Sequence, residues 1–344
     1  MKNPFVTNGY VSPEYFCDRE KETAKIVSLL TNENNIALIS PRRLGKTDLL
    51  RHCFGQPEIK EHYHTFIIDI YATSSVRDFV NVFGKAVLDE LRPKGKSVWG
   101  TFLNVLASLR SEITFDMNGQ PTWGIGLGAI TNPSATLDEI FSYLNNAGKP
   151  CLIAIDEFQQ ITKYADDPNI EAALRTHIQR CSNAHFVFSG SHRHLMGAMF
   201  TSPARPFYQS VTLINLPPIS VDKYAEFCFE HFERASKHLD TLVVTELYER
   251  FNGITSYMQK VMNILFSMTG TGEICIPSMI DTAINDLLDF SADTYDALLY
   301  QMPEKQRIVF MAIAAEGKAK AISSGDFVRK YKLQSASSVS SAVK

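Results

Sequence analysis

The sequence predicts an α/β fold: a parallel five-stranded sheet with helices on its faces, a β-hairpin insertion, and helical segments to the end of the chain. Three observations predict it. Over the first 216 residues, short apolar runs of strand length alternate with stretches of helical spacing, which is the signature of strands joined by helical crossovers. The first of these runs leads straight into a Gly-Lys-Thr loop and then a helix. Beyond Pro217-Pro218 the spacing is helical throughout.

Size and composition narrow the class. A chain of 344 residues suggests about two domains and can bury a sizeable core. The formal net charge of −3 gives no whole-chain field that favours nucleic acid, so such a contact has to come from a local patch. The six cysteines (Cys17, Cys53, Cys151, Cys181, Cys228 and Cys275) are scattered, several inside apolar runs. They read as reduced, mostly buried thiols, not as a disulfide framework or a metal site. No signal-peptide pattern opens the sequence and no apolar run reaches membrane-spanning length, so the expectation is a soluble, cytoplasmic protein without a membrane partner.

Taken in order, the chain begins with a turn-rich segment ending in Phe16-Cys17-Asp18-Arg19-Glu20-Lys21-Glu22. Asp18 is the expected N-cap of a helix whose apolar face is Ile26, Val27, Leu29 and Leu30. This loop stands just ahead of the first strand, where it could close over an adenine ring. Ile36–Ile39 is the strand, Ser40–Thr47 a tight loop, and Leu49, Leu50, Cys53 and Phe54 the apolar face of the helix that Gly55 and Pro57 stop. Strand, loop and helix in that order are what a phosphate-binding loop requires, because backbone amides and the helix N-terminus converge on the anion. The candidate nucleotide-binding residues are Ser40, Pro41, Arg42, Arg43, Leu44, Gly45, Lys46, Thr47 and Asp48. Lys46 would reach the β- and γ-phosphates and Thr47 would ligate Mg²⁺. Ser40 stands where the full pattern has a glycine, and its Cβ narrows the dihedral options of the turn.

A second strand is expected at Thr65–Ile70, then a helix with Val76, Phe79, Val80, Phe83 and Val87 on one side, a loop at Lys94–Lys96 and a helix over Val98–Leu109. Alternation at Ile113, Phe115 and Met117, a turn at Asn118-Gly119, and alternation at Trp123, Ile125 and Leu127 predict a hairpin inserted at about 111–130. After a helix over Ala135–Asn145, the most apolar run, Cys151–Ile155, ends in Asp156-Glu157. Two carboxylates at the C-terminal end of a buried strand are costly unless something positive meets them, and that end is where ligands bind in open α/β sheets. Asp156 would hold Mg²⁺ and Glu157 would activate the attacking water. A helix over Ile170–Cys181 and a strand over His185–Phe188 lead to Ser189-Gly190-Ser191, where a polar side chain can reach the γ-phosphate or the water. Arg193 and Arg205 are candidates to stabilise transition-state charge before the fifth strand, Val211–Ile214. His192 and His194 have no Cys or carboxylate at ligand spacing, which argues against a metal there.

From 217 to 300 an all-helical lid domain is expected, with helices at Tyr224–Arg234, Thr241–Phe251, Tyr257–Met268 and Pro277–Leu288. From 301 to 344, helices at Glu304–Glu316 and Asp326–Tyr331 and the start of a third at Ser335 predict a helix-turn-helix of the winged type. Arg307, Lys318, Lys320, Arg329, Lys330, Lys332 and Lys344 give it a basic bias. The chain stops where a wing hairpin would follow, so this domain reads as partial.

Together these segments resemble a known family. Phe16–Glu22, Ser40–Thr47, Ile155-Asp156-Glu157-Phe158-Gln159, Ser189-Gly190-Ser191 and Arg205-Pro206-Phe207-Tyr208, followed by the terminal helix-turn-helix, are similar to the archaeal-type ATPases of prokaryotes, a branch of the STAND and AAA+ P-loop ATPases. The resemblance implies a core in which the Ser189 strand separates the Asp-Glu strand from the phosphate strand. It also implies Walker A roles for Lys46 and Thr47, Walker B roles for Asp156 and Glu157, a sensor role for Ser189, and Arg205 as an arginine finger acting in cis or in trans. In Asn252-Gly253-Ile254-Thr255 the family's usual Gly-x-Pro is lost, with Thr255 at the proline position.

The sequence therefore predicts Mg²⁺-dependent binding of ATP and its hydrolysis to ADP and phosphate, with nucleotide state controlling domain arrangement. The alternative is a nucleotide-gated switch that binds duplex DNA or a protein through its C-terminal segment and hydrolyses little. No Asn-Lys-x-Asp motif supports guanine reading. Homo-oligomerisation is compatible with either reading.

Overall fold

A computed structural model describes residues 2–91, 113–115, 121–123, 130, 132–317 and 319–343. The expected loop at Lys94–Lys96 and the helix over Val98–Leu109 lie outside them. The chain forms two compact units, Met1–Pro277 and Ser278–Lys344.

The first unit opens with a short 3-10 turn at Pro13–Tyr15 and α1 (Glu20–Thr31). Asp18 does not cap α1. The cap position falls to Arg19, without a side-chain cap bond, and both Asp18 (φ 55°) and Arg19 (φ 78°) are left-handed. The reason is tertiary: the Arg19 guanidinium turns inward to Glu22 Oε1 at 2.9 Å and to the carbonyl of Pro217 at 2.8 Å.

Next come β1 (Ile36–Ile39), α2 (Lys46–Phe54), α3 (Pro57–Lys60), β2 (His64–Asp69) and α4 (Val76–Glu90). The start of α4 is set by Ser75, whose hydroxyl accepts from the Asp78 amide at 3.1 Å, and by Asp78, whose carboxylate accepts from the Ser74 amide at 2.9 Å. β3 (Ile113–Phe115) and β4 (Pro121–Trp123) then pair antiparallel. A strict two-residue turn at Asn118-Gly119 would set Phe115 opposite Thr122, but it stands opposite Pro121, a shift of one register step. The turn itself, Met117, Ile125 and Leu127 lie outside the described residues.

α5 (Pro133–Asn145) is capped by Asn132, and β5 (Cys151–Asp156) follows. A 3-10 turn at Phe158–Lys163 leads through α6 (Ile170–Arg180), β6 (Ala184–Gly190), α7 (Arg193–Thr201) and β7 (Thr212–Asn215). The five long-range strands are all parallel, in the order β2-β5-β6-β1-β7. The Ser189 strand thus lies between the Asp156 strand and the phosphate strand, the order that the family resemblance implies.

Both faces of this sheet are covered, so its central strands β1, β5 and β6 are buried at every position instead of alternating. One face packs Ile39, Ile68, Ile153, Ile155, Phe186 and Phe188 against α4, α5, α6 and α7. The other packs Leu38, Leu152, Ala154 and Val187 against α1 and α2. Val76, Phe79, Val80, Phe83 and Val87 are all buried, as their spacing on α4 demands.

Within the same unit lie α8 (Val221–Arg234), α9 (Thr241–Phe251) and α10 (Thr255–Met268), with a short parallel ribbon of β8 (His238–Leu239) and β9 (Ile274–Cys275) added to the helices. Phe5 is fully buried among Phe227, Phe232 and Phe266 of these helices. Reciprocal bonds from Asn3 to the Asn263 carbonyl (2.8 Å) and from Asn263 to the Phe5 carbonyl (2.7 Å) fix it there. The N-terminal segment is therefore anchored in the helical subdomain, and it runs from there to the core.

The second unit holds α11 (Met279–Gln301), α12 (Glu304–Glu316), α13 (Gly325–Lys330) and α14 (Ala336–Val343). α11 continues well beyond Leu288, where the sequence pattern ended it, because no Gly or Pro interrupts it before Met302-Pro303. A small core of Val309, Ala312, Phe327, Leu333 and Val339 holds α12, α13 and α14 together. Arg329 is engaged by Asp326 at 2.5 Å and Lys330 by Glu316 at 2.7 Å, so part of the basic bias is neutralised locally. Lys318 and Lys344 lie outside the described residues.

Candidate functional site

The loop from Ser40 to Gly45 joins the buried end of β1 to the first turn of α2. Its left-handed positions are Arg43 (φ 71°) and Gly45 (φ 84°), whereas Ser40 is not among them. The Cβ of Ser40 therefore meets no dihedral penalty, which corrects the expectation that a side chain there narrows the turn. Ser40 is fully buried, and its amide extends the β1–β6 ladder to the Gly190 carbonyl at 3.3 Å.

Lys46, at the start of α2, folds back over the loop and donates to the carbonyls of Ser40 (3.2 Å) and Pro41 (3.3 Å). Burial pushes the Lys46 ammonium below its ordinary range, and the nearby Asp156 and Glu157 carboxylates oppose that shift. Thr47 donates its hydroxyl to Asp156 Oδ2 at 2.5 Å. A hydroxyl at a helix N-terminus and a carboxylate at the end of β5 thus meet across the intervening strand. Both are oxygen donors of the kind Mg²⁺ takes when phosphates and waters complete its shell. Among the described residues no three His, Cys, Asp or Glu side chains converge as a metal site, and His192 and His194 are exposed.

Glu157 is left-handed (φ 55°), which turns its side chain out of the strand line. Its Oε2 accepts from Ser191 Oγ at 2.9 Å and from Gln159 Nε2. Ser191 in turn accepts from Arg42 Nε at 3.4 Å, linking the phosphate loop to the β6 tip. Ser189 is placed differently: it is fully buried one strand position before Gly190, its hydroxyl without a partner among the described residues. Arg205 lies outside the cleft, ion-paired to the buried Glu171.

A cleft of about 410 Å³ opens over the loop, within the range of small-molecule sites. Its floor is Arg42 to Asp48 with Asp156 and Glu157. One wall is the N-terminal segment, with Gly9, Tyr10, Val11, Phe16 and Arg19, and the other is Ile219, just ahead of α8, with Thr255, Ser256 and Gln259 of α10. In the first wall Phe16 stacks on His52 (4.3 Å between centroids) and Tyr10 Oη bonds His52 Nδ1 at 3.1 Å. In the second, the Ser256 amide donates to the Arg43 carbonyl at 3.2 Å and the Arg43 guanidinium lies over Tyr257 at 4.8 Å. The segment ahead of the phosphate strand was legible as a neighbour of the site. Tyr10, Val11 and Gln259 were not, because no motif marks them and only the fold brings them to the loop.

The model of an ATPase domain predominantly from Archaea matches residues 16–261, and that of a probable winged helix domain matches residues 293–344. Among solved structures, the Walker-type ATPase PABY2304 of Pyrococcus abyssi aligns at a TM-score of 0.62 and 18% identity, over 96% of this chain and 87% of that chain. The Aeropyrum pernix ORC1 protein, solved in complex with DNA, aligns at 0.58 and 14%, over 99% and 86%. The Aeropyrum pernix ORC2 protein aligns at 0.58 and 15%, over 96% and 82%. At these identities the likeness establishes the fold. No curated protein matches the chain.

Proposed function

This chain belongs to the family of ATPase domains found predominantly in Archaea, and we propose that it is a Mg²⁺-dependent ATPase whose nucleotide state sets the arrangement of its domains. The observation that carries the reading is the contact of Thr47 Oγ1 with Asp156 Oδ2, beside Lys46, at the mouth of a nucleotide-sized cleft. Mg²⁺ held by Thr47 and Asp156 would neutralise charge on the β- and γ-phosphates.

The remaining chemistry falls to the chain's own groups. Amides of the loop and the N-terminus of α2 bind the phosphates, and the Lys46 ammonium leaves the carbonyls of Ser40 and Pro41 to meet the γ-phosphate. Glu157 accepts a proton from water as the water attacks the γ-phosphorus in line, and the bond to the β–γ bridging oxygen breaks so that ADP leaves. Tyr10, Val11 and Phe16 form the apolar wall for the base, while Thr255, Ser256 and Gln259 bring the helical subdomain to the same cleft. That shared lining supports coupling between nucleotide and domain arrangement. Arg205 would act as a finger only after leaving Glu171, in cis or toward a second copy.

Phosphate release from ATP tests this. Lys46→Ala should lower turnover by at least about 10²-fold, and Glu157→Gln should leave ATP bound but unhydrolysed. Undiminished turnover in both variants would sink the assignment.

A second reading rests on the winged helix match at residues 293–344: the nucleotide state gates binding of duplex DNA. Binding of the full chain to duplex DNA should then weaken steeply with salt and differ between ATP and ADP. Binding that ignores nucleotide would remove the gate.

A further inference from the structure

We propose that Gln159 is a positioning residue for the catalytic carboxylate, acting with Ser191 to hold one oxygen of Glu157 so that the other is presented to the attacking water. The inference rests on the reading of Glu157 as the base. It comes from an arrangement that neither the Walker motifs nor the family match assigns.

Gln159 is 3% exposed, two residues beyond Glu157 in the 3-10 turn. Its Nε2 donates to Glu157 Oε2, while its own Oε1 is buried without a partner among the described residues. A buried carboxamide that leaves its acceptor unsatisfied is a poor choice for filling space, since an apolar side chain of the same shape would carry no such cost. Its donor side is what the site uses. Room for the amide is made by Gly190: a Cβ there would stand 2.4 Å from Gln159 Oε1 and 2.5 Å from Met196 Sδ. The tip of β6 therefore does two things with adjacent residues. Gly190 admits the Gln159 amide, and Ser191 supplies the second donor, 2.9 Å from the same Oε2.

Two donors on Oε2 leave Oε1 as the oxygen without a bond from these partners. A carboxylate on a left-handed residue at the start of a 3-10 turn has several side-chain orientations open to it, and the paired donors select one. Ser191 also accepts from Arg42 Nε at 3.4 Å, so the hold on Glu157 is tied to the loop that receives the phosphates. One of the two groups that orient Glu157, Ser191, is thus itself bonded to the phosphate loop.

The test is steady-state ATP hydrolysis and ATP binding by the full chain, for wild type, Glu157→Gln, Gln159→Leu, Ser191→Ala and Ser191→Thr. Gln159→Leu keeps the volume and removes the donor; Ser191→Thr keeps the hydroxyl. Expected is a fall in kcat of about 10–100-fold for Gln159→Leu and for Ser191→Ala, with ATP affinity within about twofold of wild type and near-normal kcat for Ser191→Thr. A structural role alone would lower stability and leave kcat of the folded fraction in place. Should Gln159→Leu fail to fold, Ser191→Ala decides, because Ser191 is only half-buried. Wild-type or raised kcat in Gln159→Leu and Ser191→Ala, with Glu157→Gln inactive, overturns the positioning role and leaves the ATPase reading standing. Full activity in Glu157→Gln overturns both.

Discussion

Gly45 and Ser40 bracket the phosphate loop and respond to opposite substitutions. Gly45 holds φ 84° with open space where a Cβ would go, so Gly45→Ala costs only the left-handed conformation, about 1–2 kcal/mol. Ser40 lies outside the left-handed region, so Ser40→Gly restores the general loop pattern yet frees the unfolded chain, and it should lower stability by roughly 0.5–1 kcal/mol. Urea denaturation of the two variants checks both signs, and a stabilising Ser40→Gly would show that the loop wants a glycine there. Ser189 and Ser191 show how far such residue-level reading reaches. The Ser-Gly-Ser triplet marks the strand tip, but the end of β6 at Gly190 decides which hydroxyl meets Glu157: Ser189 stays buried within the strand, while Ser191, just past its end, reaches the carboxylate. Arg205 likewise carries a charge a phosphate could use, while the fold commits it to Glu171.

At the scale of elements, the 3-10 turn after Glu157 is held by Phe158, which sits 4.4 Å from Phe188 and edge-on to Phe207 at 5.4 Å. The turn that aims the Glu157 carboxylate is thus anchored in the aromatic core beneath the sheet. Phe158→Ala should cost about 3–5 kcal/mol and lower turnover beyond the loss of folded protein, measured as activity per folded molecule. Elements with strong periodicity were legible: α4 and β5 appear where their apolar spacing places them. Ends and registers were not. The Asp18 cap was displaced by the inward turn of Arg19, and the β3–β4 register shifted by one, because both depend on partners distant in sequence or on turn geometry that a dipeptide does not fix.

For the whole molecule, four histidines (His52, His177, His185 and His231) are pushed below the ordinary 6.5 by burial. Below pH 6.5 the unfolded chain takes up protons that the folded one refuses, so this contribution to stability is full above 6.5 and is lost as pH falls through the depressed values. Thermal melts should fall between pH 7.5 and pH 5.5; a flat profile over that window would contradict the burial of these rings as neutral groups. All six cysteines are buried, with the Cys53 and Cys151 thiols raised to about 12, so thiol reagents should react slowly until the protein unfolds.

By itself the sequence determined the α/β class, the strand–loop–helix of phosphate-loop pattern, the carboxylate pair at the end of β5, and the change to helical structure after Pro217-Pro218. These are written in local spacing and composition, which the chain obeys wherever burial on one face dictates residue type. Tertiary structure alone decided which side chains meet. The pairing of Thr47 with Asp156, the grip of Gln159 and Ser191 on one oxygen of Glu157, and the walls contributed by Tyr10 and Gln259 join residues far apart in the chain or hidden in a single turn. Their proximity follows from strand order and from the direction each side chain leaves the backbone, and neither is encoded in any short stretch.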